Sequence, residues 1–180
     1  MGAEGGSPER VAVVEGCRRW WHVVVVAGIA LFLAVVVLHP FPLSDPVLYR
    51  GDAFQHEILT GAADGWGSPA PSADLAAPDS VDWSVFPTGT ERLQLFVLHA
   101  LRVASGGVIA AVNLYLLVGV VVTAVVAFAV LRWMGLRPLL AGAAAVVFTF
   151  APAFSSAVFQ GHLFLFALYP VALAVWLALW

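Results

Sequence analysis

Apolar positions along this chain fall into long runs rather than into the alternating stripes of a soluble domain. From Trp20 to Leu38 the sequence is almost continuously apolar, with Trp20 and Trp21 at one edge. A bilayer needs about 20 helical residues to be crossed, so this run predicts a first transmembrane helix over 20–38. A cleaved signal peptide is the alternative, but the run is long for such a segment and no small-residue cleavage site precedes His39-Pro40. A second run over 108–131 is broken only by Asn113 and Thr123, a third covers 139–154, and a fourth covers 163–180 with Pro170 inside it. Proline is tolerated within membrane helices. The expected fold is all-α and polytopic, with about four membrane spans plus an extracytoplasmic loop.

The segments between these runs are short, except for one. Residues 1–19, rich in Gly and Glu and closing on Arg18-Arg19, read as a cytoplasmic tail without regular structure. Residues 39–107 form a polar loop in which Pro40, Pro42, Pro46, Pro69, Pro71, Pro78 and Pro87 exclude one continuous helix. Two shorter helices fit within it. Asp52 can cap one over about 52–62, with Gln55 as its reciprocal partner and Phe54, Ile58 and Leu59 as an apolar stripe. The second, over about 91–105, has Leu93, Phe96, Val97, Ala100, Leu101 and Ala104 at helical spacing and Arg92, His99 and Arg102 on the other side. Residues 132–138 and 155–162 are the remaining turns.

Charge gives these segments a side. If 91–105 crossed the bilayer, Arg132 and Arg137 would face outward; if it lies in the interface, they share a side with Arg18 and Arg19. The tendency of Lys and Arg to stay inside favours the second arrangement. The N-terminus is then cytoplasmic in a multi-pass cell-membrane protein, and the loop 39–107 and the turn 155–162 share the extracytoplasmic side.

Composition agrees with that architecture: apolar residues make up 62% of the chain and charged ones 11%, and the mean hydropathy is +0.95. There is no Lys, and eight of the eleven acids lie between Asp45 and Glu91. No basic face suited to nucleic acid appears, nor any Cys/His spacing suited to a metal site, and no cofactor is indicated. The one cysteine, Cys17, cannot close an internal disulfide; beside a membrane boundary it is either a lipidation site or inert.

The densest ionisable stretch is Tyr49 to Ile58. Within it Asp52 is the candidate catalytic residue, since a carboxylate at the bilayer surface can take the proton from a sugar hydroxyl. As a helix cap it would be fixed in place, and capping alone is the plainer account of it. Arg50-Gly51-Asp52 also spells an adhesion tripeptide, which recurs by chance. His56, one turn further, can share the face of Asp52 as a hydrogen-bonding partner or a metal ligand with it, or simply be solvated, the plainer account with only two candidate ligands at hand. Arg92 and Arg102, with His99, can grip a lipid-linked phosphate or ordinary anionic headgroups. His162, beside Gly161 in the outer turn, is an ionisable group at the mouth between two spans, or a helix-start residue at the interface.

The order of these parts is familiar. One N-terminal span, a long outer loop opening on Gly51-Asp52, then Phe86-Pro87-Thr88-Gly89-Thr90, a surface helix and finally Gly161-His162-Leu163 before a span together resemble bacterial glycosyltransferases of the GT-C superfamily. The resemblance implies transfer of a sugar from a polyprenyl-phosphate donor to a glycan, lipid or protein acceptor on the outer face, with Asp52 as the base. It also implies that His162 contacts donor or acceptor, and that further spans follow, so that 180 residues form the N-terminal part of a longer enzyme. A single Asp after Gly, where many members carry paired acids, departs from that pattern. A non-catalytic membrane subunit or transporter fragment is the alternative. A transporter concentrates ionisable groups at mid-membrane, whereas here they gather at the rim.

Overall fold

The computed structural model describes residues 8–47, 92–151 and 169–180. Among the described residues there are five helices and no strand: α1 (Pro8–Leu38), α2 (Arg92–Ser105), α3 (Val108–Trp133), α4 (Pro138–Thr149) and α5 (Tyr169–Leu179). Two stretches, Trp20–Leu38 within α1 and Val108–Trp133, are long and apolar enough to cross a membrane.

The helix boundaries follow local chemistry. Helix α1 is already formed at Pro8, so residues 8–19, expected as an unstructured tail, are helical. Pro is well accepted in a first helical turn, and Glu9, Arg10 and Ala12 are good helix formers. At the other end His39 has a left-handed φ of 48°, with its N–H bonded to Val35 O at 3.0 Å. Histidine is among the few residues that visit this region readily. Helix α2 ends at Gly106, φ +75°, whose N–H reaches Arg102 O at 2.8 Å. Helix α3 ends at Gly135, φ +90°, where the Leu136 N–H bonds to Leu131 O and the Gly135 N–H to Arg132 O, both at 3.1 Å. That pair of bonds is a Schellman closure, and glycine adopts the required φ without a Cβ penalty.

The third expected span is shorter than its apolar run. Among its described residues, up to 151, the run is helical from Pro138 to Thr149, which at 1.5 Å per residue is about 18 Å, well under the ~30 Å of a hydrocarbon core. Ala151 precedes Pro152, and a residue before proline is disfavoured in the helical region. Of the fourth run, residues 163–168 lie outside the described residues; Pro170 is the second residue of α5.

Helix α3 is the hub, packing on every other described helix. Half of its 26 residues are buried, while its neighbours bury narrow stripes. Helix α1 offers Val26, Ala30, Ala34 and Leu38, and α4 offers Ala141, Ala145 and Thr149. Both stripes recur every four residues, the ridge spacing by which helices interdigitate. Thr123 and Thr149 turn their hydroxyls back onto Gly119 O at 2.7 Å and Ala145 O at 2.8 Å, so neither brings an unmet polar group into the core.

Helix α2 docks through a face slightly rotated from its expected one. Leu98 is fully buried, and Val97 and Leu101 pack on the core, while Phe96 is exposed and Ala104 faces outward. Residues 97, 98 and 101 share one side of the helix, which packs on α3.

Contacts fix the directions of the helices. The chain just after α1 meets Asn113 near the start of α3, whereas Trp21 and His22 line a groove with Phe128 and Pro138. Helices α1 and α3 are therefore antiparallel. Trp133, closing α3, meets Trp176 in an edge-to-face contact at 6.4 Å and 83°, so α5 runs toward the end that carries Arg132 and Arg137.

Candidate functional site

Two sequence features build the upper end of the bundle, the end away from Arg132 and Arg137. The first is the turn after α1, where Pro40 is buried and the Asp45 N–H closes a tight turn onto Pro42 O at 3.0 Å. The density of prolines that forbids a helix here also stiffens the exit. The Phe41–Pro42 peptide is cis, and Ser44 Oγ donates to Asp45 Oδ1 at 3.4 Å on the exposed side of the turn. The second feature is the Gly106-Gly107 reversal that joins α2 to α3, where Ser105 Oγ donates to Gly107 O at 3.1 Å.

Asn113 ties the first feature to the head of α3. Its side chain is fully buried. Nδ2 donates to Leu43 O at 3.0 Å and to Asp45 O at 2.8 Å, and Oδ1 accepts the Val47 N–H at 3.3 Å. Oxygen and nitrogen of a carboxamide are assigned from their partners. Here two carbonyls on one side and an N–H on the other leave a single consistent assignment. Both donors and an acceptor site of the amide are used, so the group is satisfied although it sits inside an apolar helix.

Of the residues expected to act, the structure describes part. Asp52, His56 and His162 lie outside the described residues, as does the helix expected over about 52–62. Arg92 is the first residue of α2, and its side chain lies outside the described residues. Arg102 stands half-buried in the last turn of α2, with His99, also half-buried, one turn before it. Arg102 and Asn113 are each within about two helical turns of the Gly106-Gly107 reversal, which puts them at one end of the bundle. Among the described residues no group of three or more His, Cys, Asp or Glu could hold a metal ion.

Asn113 is the residue that sequence reading passed over, treating it only as a break in a span. The signal was there: a lone carboxamide in an apolar membrane-length helix calls for a named partner. The partners themselves, about 70 residues earlier in the chain, could not be read from local pattern.

The opposite end has its own chemistry. The Arg132 guanidinium donates to Leu136 O and so seals the α3–α4 turn, a favourable place for a cation beside helix carbonyls. Trp20, Trp21, Trp133 and Trp180 are all largely exposed. Compared with known proteins, the chain matches no family model, no curated protein and no solved structure.

Proposed function

We propose that this chain is a membrane glycosyltransferase that moves a sugar from a polyprenyl-phosphate donor to an acceptor hydroxyl on the extracytoplasmic face. In this reading the carboxylate of Asp52 takes the hydroxyl proton as the acceptor oxygen forms its bond to the anomeric carbon. The bond from that carbon to the phosphate oxygen breaks with inversion, and polyprenyl phosphate leaves with the electron pair. Arg92 or Arg102 steadies the phosphate, His56 partners Asp52, and His162 contacts the donor phosphate or the acceptor.

The observation that carries the reading is the segregation of features between the two ends of the bundle. At one end are the anchored start of the acid-rich loop and the Arg102 end of α2; at the other are Arg132, Arg137 and the exposed tryptophans. A transferase that draws its donor from the membrane needs this polarity, with carboxylate and phosphate-binding groups at one rim. A multi-pass membrane setting is supported by the inverted packing of the helices. Ala30, Ala34, Ala141 and Ala145 face inward, whereas Phe32, Val36, Leu139 and Val147 face outward, the distribution expected where lipid rather than water surrounds a bundle.

The test is Asp52→Asn, assayed in native membranes for sugar transfer from a polyprenyl-phosphate donor. Loss of a positioned base is expected to slow turnover about 10²-fold or more with expression unchanged. Turnover at the parent rate removes Asp52 from the chemistry. No transfer by the parent chain, in membranes that hold donor and acceptor, favours the non-catalytic subunit instead.

A further inference from the structure

We infer that Asn113 is the positioning residue of the extracytoplasmic loop: its buried carboxamide holds the chain from Leu43 to Val47 against the head of α3 and so sets where the loop leaves the bundle. Its importance for chemistry rests on the reading of Asp52 given above.

Three bonds from one side chain span both sides of a turn. The carbonyls of Leu43 and Asp45 and the N–H of Val47 alternate along the strap, and the amide meets them at 3.0, 2.8 and 3.3 Å. The turn's own Asp45–Pro42 bond closes it but does not tie it to the bundle. Asn113 does so, beside the packing of the Val47 side chain on the core, through its complete burial in α3, the helix on which all the other described helices pack. A helix-borne side chain with no exposed surface has little freedom, so the strap inherits the rigidity of the hub. From Val47 only five residues lead to Asp52, a reach of at most about 18 Å for a fully extended chain. Val47 is the last described residue before the acid-rich stretch, so fixing it sets the point from which the chain toward Asp52 departs.

Neither near-isosteric replacement keeps the three bonds. Leucine has similar volume and none of the bonds. Aspartate has the same shape, but ionised it turns oxygens toward two carbonyls, while protonated it can donate to one of them. This difference makes a pH-dependent variant that simple packing does not explain.

The experiment places a nitroxide label on the strap at Asp45→Cys, in a Cys17→Ser background, with the full chain in lipid vesicles. Replacing Asp45 also removes the strap's own titratable group, while its backbone carbonyl stays. The parent label is expected to give a broad, immobilised spectrum. Asn113→Leu is expected to sharpen it several-fold in line width, and Asn113→Asp to sharpen it at neutral pH and broaden it again on acidification, with helical circular dichroism unchanged throughout. Spectra that are equally immobile in parent and both variants overturn the proposal, as does an Asn113→Asp label that stays mobile across the same acidification. Should Asn113→Leu fail to fold, Asn113→Asp at the two pH values decides. In the kinetic arm, Asn113→Leu without the label is expected to lower kcat for sugar transfer at least tenfold while the KM for the polyprenyl-phosphate donor holds. A freed strap with unchanged kcat overturns the positioning role. A parent chain that transfers no sugar fails the transferase reading and leaves the label result to judge the strap.

Discussion

The Nδ2 of Asn113 donates to the carbonyl oxygen of Asp45 at 2.8 Å, joining a helix interior to a turn 68 residues earlier in the chain. With the bonds to Leu43 and Val47, it ties that turn to the hub helix. Replacing Asn113 by Leu keeps the volume and leaves two carbonyls and an N–H without their partner. At about 1–1.5 kcal/mol for each of three bonds, the bundle should lose about 3–4.5 kcal/mol of stability. Unfolding in mixed detergent micelles, followed by helical circular dichroism, measures it. A loss near zero would mean that water replaces the carboxamide at no cost.

The approach of α4 to α1 gives a second prediction. A Cβ built on Gly142 would stand 3.3 Å from Val26 Cγ2, and valine, stiff at χ1, yields little within a helix. Gly142→Ala gains about 0.5–1 kcal/mol of helix propensity and loses a similar amount at this contact, so its net effect is expected near zero, whereas Gly142→Leu costs about 1–3 kcal/mol, as overpacking does elsewhere. In a Val26→Ala background Gly142→Ala should become stabilising. A double-mutant cycle checks this: coupling of at least ~0.5 kcal/mol is expected for residues in contact, and additive effects would deny the contact.

What could be read in the sequence was the material governed by near neighbours. The apolar runs over 20–38 and 108–131 match helices α1 and α3, and the period of residues 91–105 matches α2, because each pattern is set within a few helical turns. Residues 8–19 were misread for want of apolar period, although helix propensity extends α1 to Pro8. The run to residue 154 hid the stop at Thr149, since hydropathy does not register the backbone limits before Pro152. On α2 Leu98 is buried although it lies outside the expected stripe, while Phe96 and Ala104 of that stripe are exposed, a matter of one helix rotated against another that no single stripe records. For the site, Asn113 stands out as a lone carboxamide in an apolar run, but its role could not be read because its partners lie about 70 residues away.

The aromatic pair Trp133–Trp176 gives a third prediction. The rings meet edge to face at 6.4 Å and 83°, a geometry worth about 0.5–1.5 kcal/mol beyond area burial. Trp176→Leu keeps an apolar group on α5 and removes the ring edge. A cycle combining it with Trp133→Leu should return coupling of that size in thermal unfolding. Independent effects would show that the rings merely share an end of the bundle.

The antiparallel course of α1 and α3 makes sidedness testable, because the turn at Asp45 and the turn at Met134 lie at opposite ends. Asp45 and Met134 are both exposed, so cysteines placed at either position reach a thiol reagent without disturbing the core. In a Cys17→Ser background, Asp45→Cys should react with a membrane-impermeant maleimide in intact cells, and Met134→Cys only after the membrane is opened. Arg132 and Arg137 flank Met134, and a cationic turn is retained on the cytoplasmic side. Labelling of Met134→Cys in intact cells, with Asp45→Cys protected, would invert the orientation. The acid-rich loop would then face the cytoplasm, and a polyprenyl-phosphate donor used on the outer face could not reach Asp52. Labelling of both positions in intact cells would mean that Trp20–Leu38 and Val108–Trp133 do not cross the bilayer.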